Sequence, residues 1–366
     1  MTTETQAERS PDDFSCEQCG SLLEFQPGKN MLVCGHCGFE SPLPESSEEI
    51  EEIDFHERLA SLESGEDLEE VTTVSCPSCG ADFERDANLS SEECPFCGTT
   101  IVAEGGSHKQ IKPRSLLPFK VERERARALF RRWVSKLWFA PNDFKKRARL
   151  DTTLSGMYVP HWTYDSSVTT EYTGQRGVHY YVPVSTGKGT TMVRRTWWTP
   201  VSGTVDNTFD DVLVLASHSL PRKYMEKLEP WGLPDLVPFQ NEYMSGFRAE
   251  SYQVGLEQGF AEARQQMDEP IRQTIRFQIG GDEQIIQWKH SEFNDITFKH
   301  ILLPVWISAY RYRNKPFRFL VNARTGEVQG ERPWSWVKIL SAAAAAAVVL
   351  SGALIVIYEG AKPAMV

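Results

Sequence analysis

Eight cysteines carry the clearest chemistry in this chain of 366 residues. Cys16, Cys19, Cys34 and Cys37 form C-x2-C-x14-C-x2-C, and Cys76, Cys79, Cys94 and Cys97 repeat that spacing sixty residues later, which leaves no cysteine over. Each half-motif closes as Cys-x-x-Cys-Gly, in CEQCG, CGHCG, CPSCG and CPFCG. Glycine at that point lets the backbone turn beneath an ion so that both sulfurs face it. Four thiolates at about 2.3 Å fill the tetrahedral shell of zinc and leave no position for a substrate. The pattern therefore implies two structural zinc ions, whose binding supplies folding free energy that small ribbons otherwise lack. His36, inside CGHCG, could serve as a ligand only by breaking the regular spacing, and is left out of the site. The alternative, a pair of disulfide clusters, requires an oxidising compartment and usually a signal peptide. The segment MTTETQAERSPDDF at the start is polar and acidic with no apolar stretch, so reduced cysteines in the cytosol are expected.

Other residues that could do chemistry do not assemble into a known catalytic pattern. The nearest approach to a phosphate-binding loop, Ser185–Thr190, has Gly189 after its lysine and Val182 where the first glycine is required, and reads as a hairpin turn. There is no H-E-x-x-H pair and no G-x-S-x-G elbow. His161 and Asp165 share a face of a predicted strand but stand about 13 Å apart, so His161 reads as a structural histidine. Asp210-Asp211 and Asp282-Glu283 could bind a divalent ion, but such pairs in loops usually meet water. No catalytic residue is assigned.

The elements that position the cysteines follow from patterning. Residues 45–72 read as an acidic spacer helix, capped near Ser46 or Ser47, with Ile50, Ile53, Leu59 and Leu62 as a partial apolar stripe. Gly105-Gly106-Ser107 reads as a flexible joint. In 111–150, Leu129, Trp133 and Leu137 repeat at helical spacing, with Phe130, Val134 and Trp138 beside them and Arg123, Arg127, Arg131 and Lys136 elsewhere around the cylinder. This basic amphipathic helix fits core packing, the anionic leaflet of a membrane, or a phosphate surface. Residues 151–335 alternate aromatic and β-branched types, which predicts strands. Val178–Val184 with Thr191–Trp198 predicts one hairpin, and Phe317–Val321 with Glu327–Gln329 another. Tyr158-Val-Pro-His-Trp162 echoes Leu303-Pro-Val-Trp306, as if one antiparallel sheet held two related strands. Ser219–Leu228 predicts a short helix, and Leu256, Phe260, Ala263, Met267, Ile271 and Ile275 predict a longer one with a kink at Pro270.

Charge is unevenly placed. The first 110 residues carry 25 acidic against 5 basic side chains, whereas 111–150 carries 13 basic against 3 acidic. An acidic ribbon module repels phosphates, which weighs against nucleic acid and favours ribbons that bind a protein partner or brace the fold. From Ile339 to Tyr358 twenty residues lack charge, about 30 Å as a helix, which predicts a transmembrane helix over 339–358, the alternative being a buried alanine-rich core helix. Trp334, Trp336 and Tyr358 would sit at the interfaces, and Arg332 and Lys338 would keep the large domain cytoplasmic.

The chain resembles a family of bacterial proteins with two N-terminal zinc ribbons, a central domain and a C-terminal hydrophobic helix. The likeness rests on CPSCG with ECPFCG, Leu137–Asn142, Tyr158–Trp162, Ile279–Asp282, Leu303–Trp306 and Val321–Pro333. Members are often labelled as similar to the primosomal replication-restart helicase, a superfamily II enzyme, but this chain has neither nucleotide-binding loop nor motor lobes. The resemblance implies architecture and no activity. The expected fold is α+β: ribbons at 1–44 and 73–104, the spacer at 45–72, the basic segment at 111–150, an α+β domain at 151–335 and the span at 339–358. The expected function is a non-catalytic adaptor, anchored by one span in the bacterial inner membrane, whose ribbons bind a protein partner. Two alternatives are a nucleic-acid binder in replication or repair, using Arg123–Arg149 with Trp133 and Trp138 as stacking platforms, and an enzyme whose site lies in 151–335.

Overall fold

The computed structural model describes residues 14–44, 50–64, 68–84, 91–102, 106–111, 113–150, 154–187, 189–312 and 315–360. The first cysteine set lies on a three-stranded sheet of β1 (Leu23–Phe25), β2 (Met31–Cys34) and β3 (Glu40–Pro42). β4 (Ile53–Asp54) and α1 (Phe55–Ser64) follow. The second set is framed by β5 (Leu68–Ser75), β6 (Asp82–Glu84), β7 (Ser91–Glu93), β8 (Thr100–Val102) and β9 (Gly106–Ile111). β10 (Ser115–Leu116), α2 (Arg123–Lys136) and α3 (Asn142–Leu150) lead into two very long strands, β11 (Ser155–Thr186) and β12 (Gly189–Leu215). After one turn of helix, α4 (Arg222–Met225), come β13 (Val237–Pro238), β14 (Arg248–Ala249), α5 (Leu256–Ile279), β15 (Glu283–Tyr312), β16 (Lys315–Asn322), β17 (Val328–Gly330) and α6 (Trp336–Gly360). The class is α+β.

β11, β12 and β15 form the spine of a mixed nine-stranded sheet. The hairpin of β11 and β12 runs unbroken in pairing from His161↔Leu215 to Thr186↔Gly189, apart from one bulge between Tyr164 and Ser166. It contains the predicted hairpin but extends far beyond it. β15 pairs antiparallel with β11 as far as Gly177↔Glu283, so the outer part of the hairpin is two-stranded. The echoing segments are neighbours, with Tyr158 opposite Pro304 and Gly156 opposite Trp306. β16 and β17 form the second hairpin.

Alternation along β11 explains why a helix lies on it. Val168, Thr170 and Tyr172 are buried while Ser167, Glu171 and Thr173 face solvent. The predicted stripe Leu256, Phe260, Ala263, Met267, Ile271 and Ile275 is buried against this face, with Trp162, Tyr164 and Phe298 in the same cluster. α5 continues through Pro270 as one helix. Its first turn is held by the Trp162 indole, which donates to Val254 O at 2.9 Å, and by Tyr164 OH, which donates to Leu256 O at 2.7 Å. These two side chains come so near that a methyl on Gly259 would lie 2.4 Å from Tyr164 Oη. Beyond Ile279 the sheet runs on without a helix, and Tyr180, Tyr181, Met192 and Trp197 are exposed.

Three expectations change. Among the described residues the acidic spacer is a helix only over Phe55–Ser64, because Ile53 and Asp54 join the main sheet opposite Phe298 and Thr297, and Asp54 caps the helix by accepting the Glu57 N–H at 2.8 Å. Ser46 and Ser47 lie outside the described residues. The joint expected at Gly105–Ser107 is in part strand, since Gly106 and Ser107 pair with Thr73 and Thr72, while Gly105 lies outside the described residues. The third change concerns the membrane. α6 is helical, but among the described residues no helix is long and apolar enough to cross a membrane, which corrects both the transmembrane helix at 339–358 and the single-pass inner-membrane location. Ala342–Ala347 supply only methyl groups to transfer. Lys338, in the first turn, is tied to the protein by donating to Ala140 O at 2.8 Å and Asn142 Oδ1 at 2.7 Å. Arg332 lies over the Trp334 ring at 4.4 Å.

Candidate metal centres

The four Cys-x-x-Cys-Gly knuckles share one backbone design. In each, the glycine N–H donates to the carbonyl of the first cysteine: Gly20 to Cys16, Gly38 to Cys34, Gly80 to Cys76 and Gly98 to Cys94, at 2.8–3.0 Å. All four glycines have φ between +68° and +76°, a region that a side chain disfavours. The first cysteine N–H of each knuckle is taken by the residue after the glycine, Ser21, Phe39, Ala81 or Thr99. Two main-chain hydrogen bonds thereby close each knuckle.

This places eight sulfurs in two sets of four, each set lying within 4.8 Å. In the first, Cys16 and Cys37 Sγ are 3.5 Å apart, as are Cys19 and Cys34. In the second, Cys76 to Cys97 is 3.6 Å and Cys79 to Cys94 is 3.7 Å. Sulfurs at about 2.3 Å from one ion stand about 3.8 Å apart along a tetrahedron edge. A disulfide needs about 2.05 Å, and all eight cysteines are free. The donor set therefore fits two metal ions of the zinc type.

Proton affinities within the sets are uneven. The Ser21 hydroxyl, with its backbone amide, holds Cys19 down to about 6. Burial acts to raise Cys97, but the Thr99 hydroxyl 3.2 Å from its sulfur and the Thr99 amide outweigh it and bring the thiol to about 6. The Phe39 amide acts to lower Cys37, but burial and the neighbouring sulfurs outweigh it and leave the thiol at about 12, and burial lifts Cys79 to about 11. A cation is the natural remedy for thiolates so close together.

Neither cluster stands apart from the sheet. Cys16 and Cys34 belong to a core with Phe25, Leu32, Phe119, Tyr158, Leu302 and Trp306. Cys76, Cys94 and Cys97 belong to another with Phe83, Phe96, Met157, Val159, Ile301 and Val305. Along β11 and β15 these are alternate residues, so the two ribbons pack on opposite faces of one sheet. Main-chain bonds join them to the segment that flanks β14: Phe25 N–H donates to Ser245 O at 3.0 Å, and Phe83 pairs with Glu250 as an isolated bridge.

The remaining candidates resolve differently. His161 is buried with Nδ1 3.0 Å from Val159 O, and burial lowers its pKa to about 4. Asp165 falls at the bulge and joins Glu52 and Asp210 in a third acidic group. The cation there is Lys299, whose Nζ is 2.7 Å from Asp211, 3.1 Å from Glu52 and 3.4 Å from Asp165. Burial opposes the lysine's charge, but the bond to Asp211 and the charges of Asp165 and Asp211 hold its pKa above the usual range. Asp282 and Glu283 do not simply meet water, for both bond His179, Glu283 at 2.6 Å from Nε2. In α2 the buried face is Ala126, Phe130 and Val134, and Trp133 packs edge-on against Phe319, while Trp138 is 77% exposed. Lys299 has no local signature, because its partners come from distant segments of the chain.

The chain is similar to the uncharacterized protein YdjG of Bacillus subtilis (strain 168), with 27% identity over 329 residues, which cover 89% of this chain and 91% of that protein. No family model and no solved structure matches. This relative fits a bacterial group of unknown activity and carries no helicase designation.

Proposed function

We propose that this protein is a non-catalytic adaptor in which two structural zinc ions brace a protein-binding surface. The observation that carries this reading is that all four donors of each metal set are cysteines of the chain itself, with Cys16 and Cys34 of the first set and Cys76, Cys94 and Cys97 of the second built into packed cores, while Cys19 and Cys37 are exposed. A closed four-thiolate site offers no coordination position for substrate or water, which favours a structural role over hydrolytic chemistry. The acidic ribbon part of the sequence, with 25 acidic residues in the first 110, favours a partner protein carrying a basic surface.

The test is cross-linked co-purification of the full chain from its own cells, with zinc measured alongside and repeated after zinc depletion. Recovery of one protein in stoichiometric amount, lost when zinc is removed, supports the adaptor. Equal recovery by zinc-free protein sinks it. A second reading, binding of nucleic acid, draws on the exposed Arg131, Arg132 and Lys136 of α2. Salt-dependent DNA binding that disappears when these three are reversed to glutamate would favour it over the adaptor.

A further inference from the structure

The outer edge of β15 is covered by two short strands with a gap between them. β4 pairs Thr297 and Phe298, β10 pairs Ile301 and Leu302, and Lys299 and His300 are left between. A cavity of about 460 Å³ opens there, within the range of about 300–1,000 Å³ common for small-molecule sites. Its walls come from the connector that follows the first ribbon, Ile50–Ile53, and the one that follows the second, Pro113–Ser115, closed by Pro238 and Phe239.

The wall chemistry is specific. Ile50, Ile53 and Phe239 supply apolar surface. Arg114 is exposed at the cavity and its guanidinium makes no hydrogen bond or ion pair among the described residues, while Glu51 brings one carboxylate to the same lining. Lys299 also lines it, but its charge is already matched by Glu52, Asp165 and Asp211. His300 is 1% exposed, and neither ring nitrogen has a hydrogen-bond partner. The rings of Trp162, Phe298 and Tyr252 surround it, at 4.4, 5.2 and 5.8 Å between centroids. Burial, with Arg58 and Arg114 adding to it, keeps this imidazole neutral. A buried polar ring without partners is rare in folded proteins and calls for an explanation.

We propose that this cavity binds a small zwitterion with an apolar body, of the class of free apolar or aromatic amino acids. Arg114 takes the carboxylate, Glu51 takes the ammonium, and Ile50, Ile53 and Phe239 enclose the side chain. His300 is the polar residue of the wall that responds to occupancy. The site shares no residue with the metal clusters, so it stands or falls apart from the adaptor reading.

The probe is L-phenylalanine, titrated calorimetrically into zinc-loaded, full-length protein, with two analogues: phenylalaninamide, which lacks the carboxylate, and 3-phenylpropionate, which lacks the ammonium. Phenylalanine is expected to bind, each analogue to bind about tenfold more weakly or worse, and the His300 ring nitrogens to shift in long-range proton–nitrogen spectra. Arg114→Gln should remove the preference for phenylalanine over its amide, and Glu51→Gln the preference over phenylpropionate. Both residues are exposed, and unchanged zinc content with an unchanged circular dichroism spectrum verifies the fold. Absence of binding at millimolar phenylalanine overturns the proposal. So does binding of all three probes with equal strength, or binding that both variants leave untouched.

Discussion

At the residue scale, three positions make sharp tests. Cys97 carries one of the two thiols lowered to about 6, and its sulfur is part of a buried cluster. Cys97→Ser is expected to lower zinc from two ions per chain to one, read by metal analysis after gel filtration, with the first cluster still loaded. Gly259 has no room for a methyl, since Tyr164 Oη would lie at 2.4 Å and Trp162 Cδ1 at 2.9 Å. Gly259→Ala should cost about 1–3 kcal/mol by denaturant titration, the range of overpacked cores. Glu250 is buried, accepts the Ser217 hydroxyl at 2.6 Å, and burial raises its pKa to about 7. A carboxyl whose folded pKa is raised binds its proton more tightly when folded. Its contribution is therefore complete below the unfolded value near 4.5 and is lost as pH rises through 7. Glu250→Gln is expected to stabilise the protein at pH 8 relative to pH 5 by up to roughly 3 kcal/mol, and melting curves at both values measure it. A constant difference between the two proteins across that range would count against a protonated Glu250.

At the scale of elements, the hairpin of β11 and β12 has two regimes. Between Val168 and Tyr172, β11 lies between two strands and beneath α5, whereas from Val178 outward it has one partner and no helix. Two-stranded ribbons are marginal in water. Amides of Val178–Val184 should exchange with deuterium at least about tenfold faster than those of Val168–Tyr172, and peptide-level mass spectrometry resolves the two segments. How much of this was legible depends on the range of each signal. The cysteine sets were, because ligand spacing is written within a few residues and the knuckle glycines sit where the turn requires them. The α5 stripe and the hairpin were legible too, since periods of 3.6 and 2 are local properties. Ile53 and Asp54 were misread as helix because their strand partners, Thr297 and Phe298, lie more than 240 residues away. Lys299 among the acids was invisible for the same reason. The run Ile339–Tyr358 was misread as a span because absence of charge is a weaker property than apolar transfer energy, and seven of its residues are alanine.

At the scale of the molecule, the two ribbons and the sheet form one packed body. The first cluster shares a core with Tyr158 and Trp306, and the second shares one with Met157 and Val305 on the other face. Stripping both metals should therefore destabilise the whole protein rather than unfold two small lobes. A strong chelator is expected to lower the melting temperature of the entire cooperative transition, with tryptophan fluorescence following the same curve as far-ultraviolet dichroism. A sheet transition left in place after zinc loss would show the ribbons to be ornaments on an independent fold. The same architecture has a mechanical side. β11 has 32 residues, on the order of 100 Å of strand; it is seated between the ribbons only near its start, and α5 and β15 stiffen it as far as Gly177. The hairpin is thus a lever with its fulcrum at the metal-braced end. One degree of tilt there displaces the far turn by about 2 Å, so a small change in how the ribbons seat is magnified into a large movement at the tip.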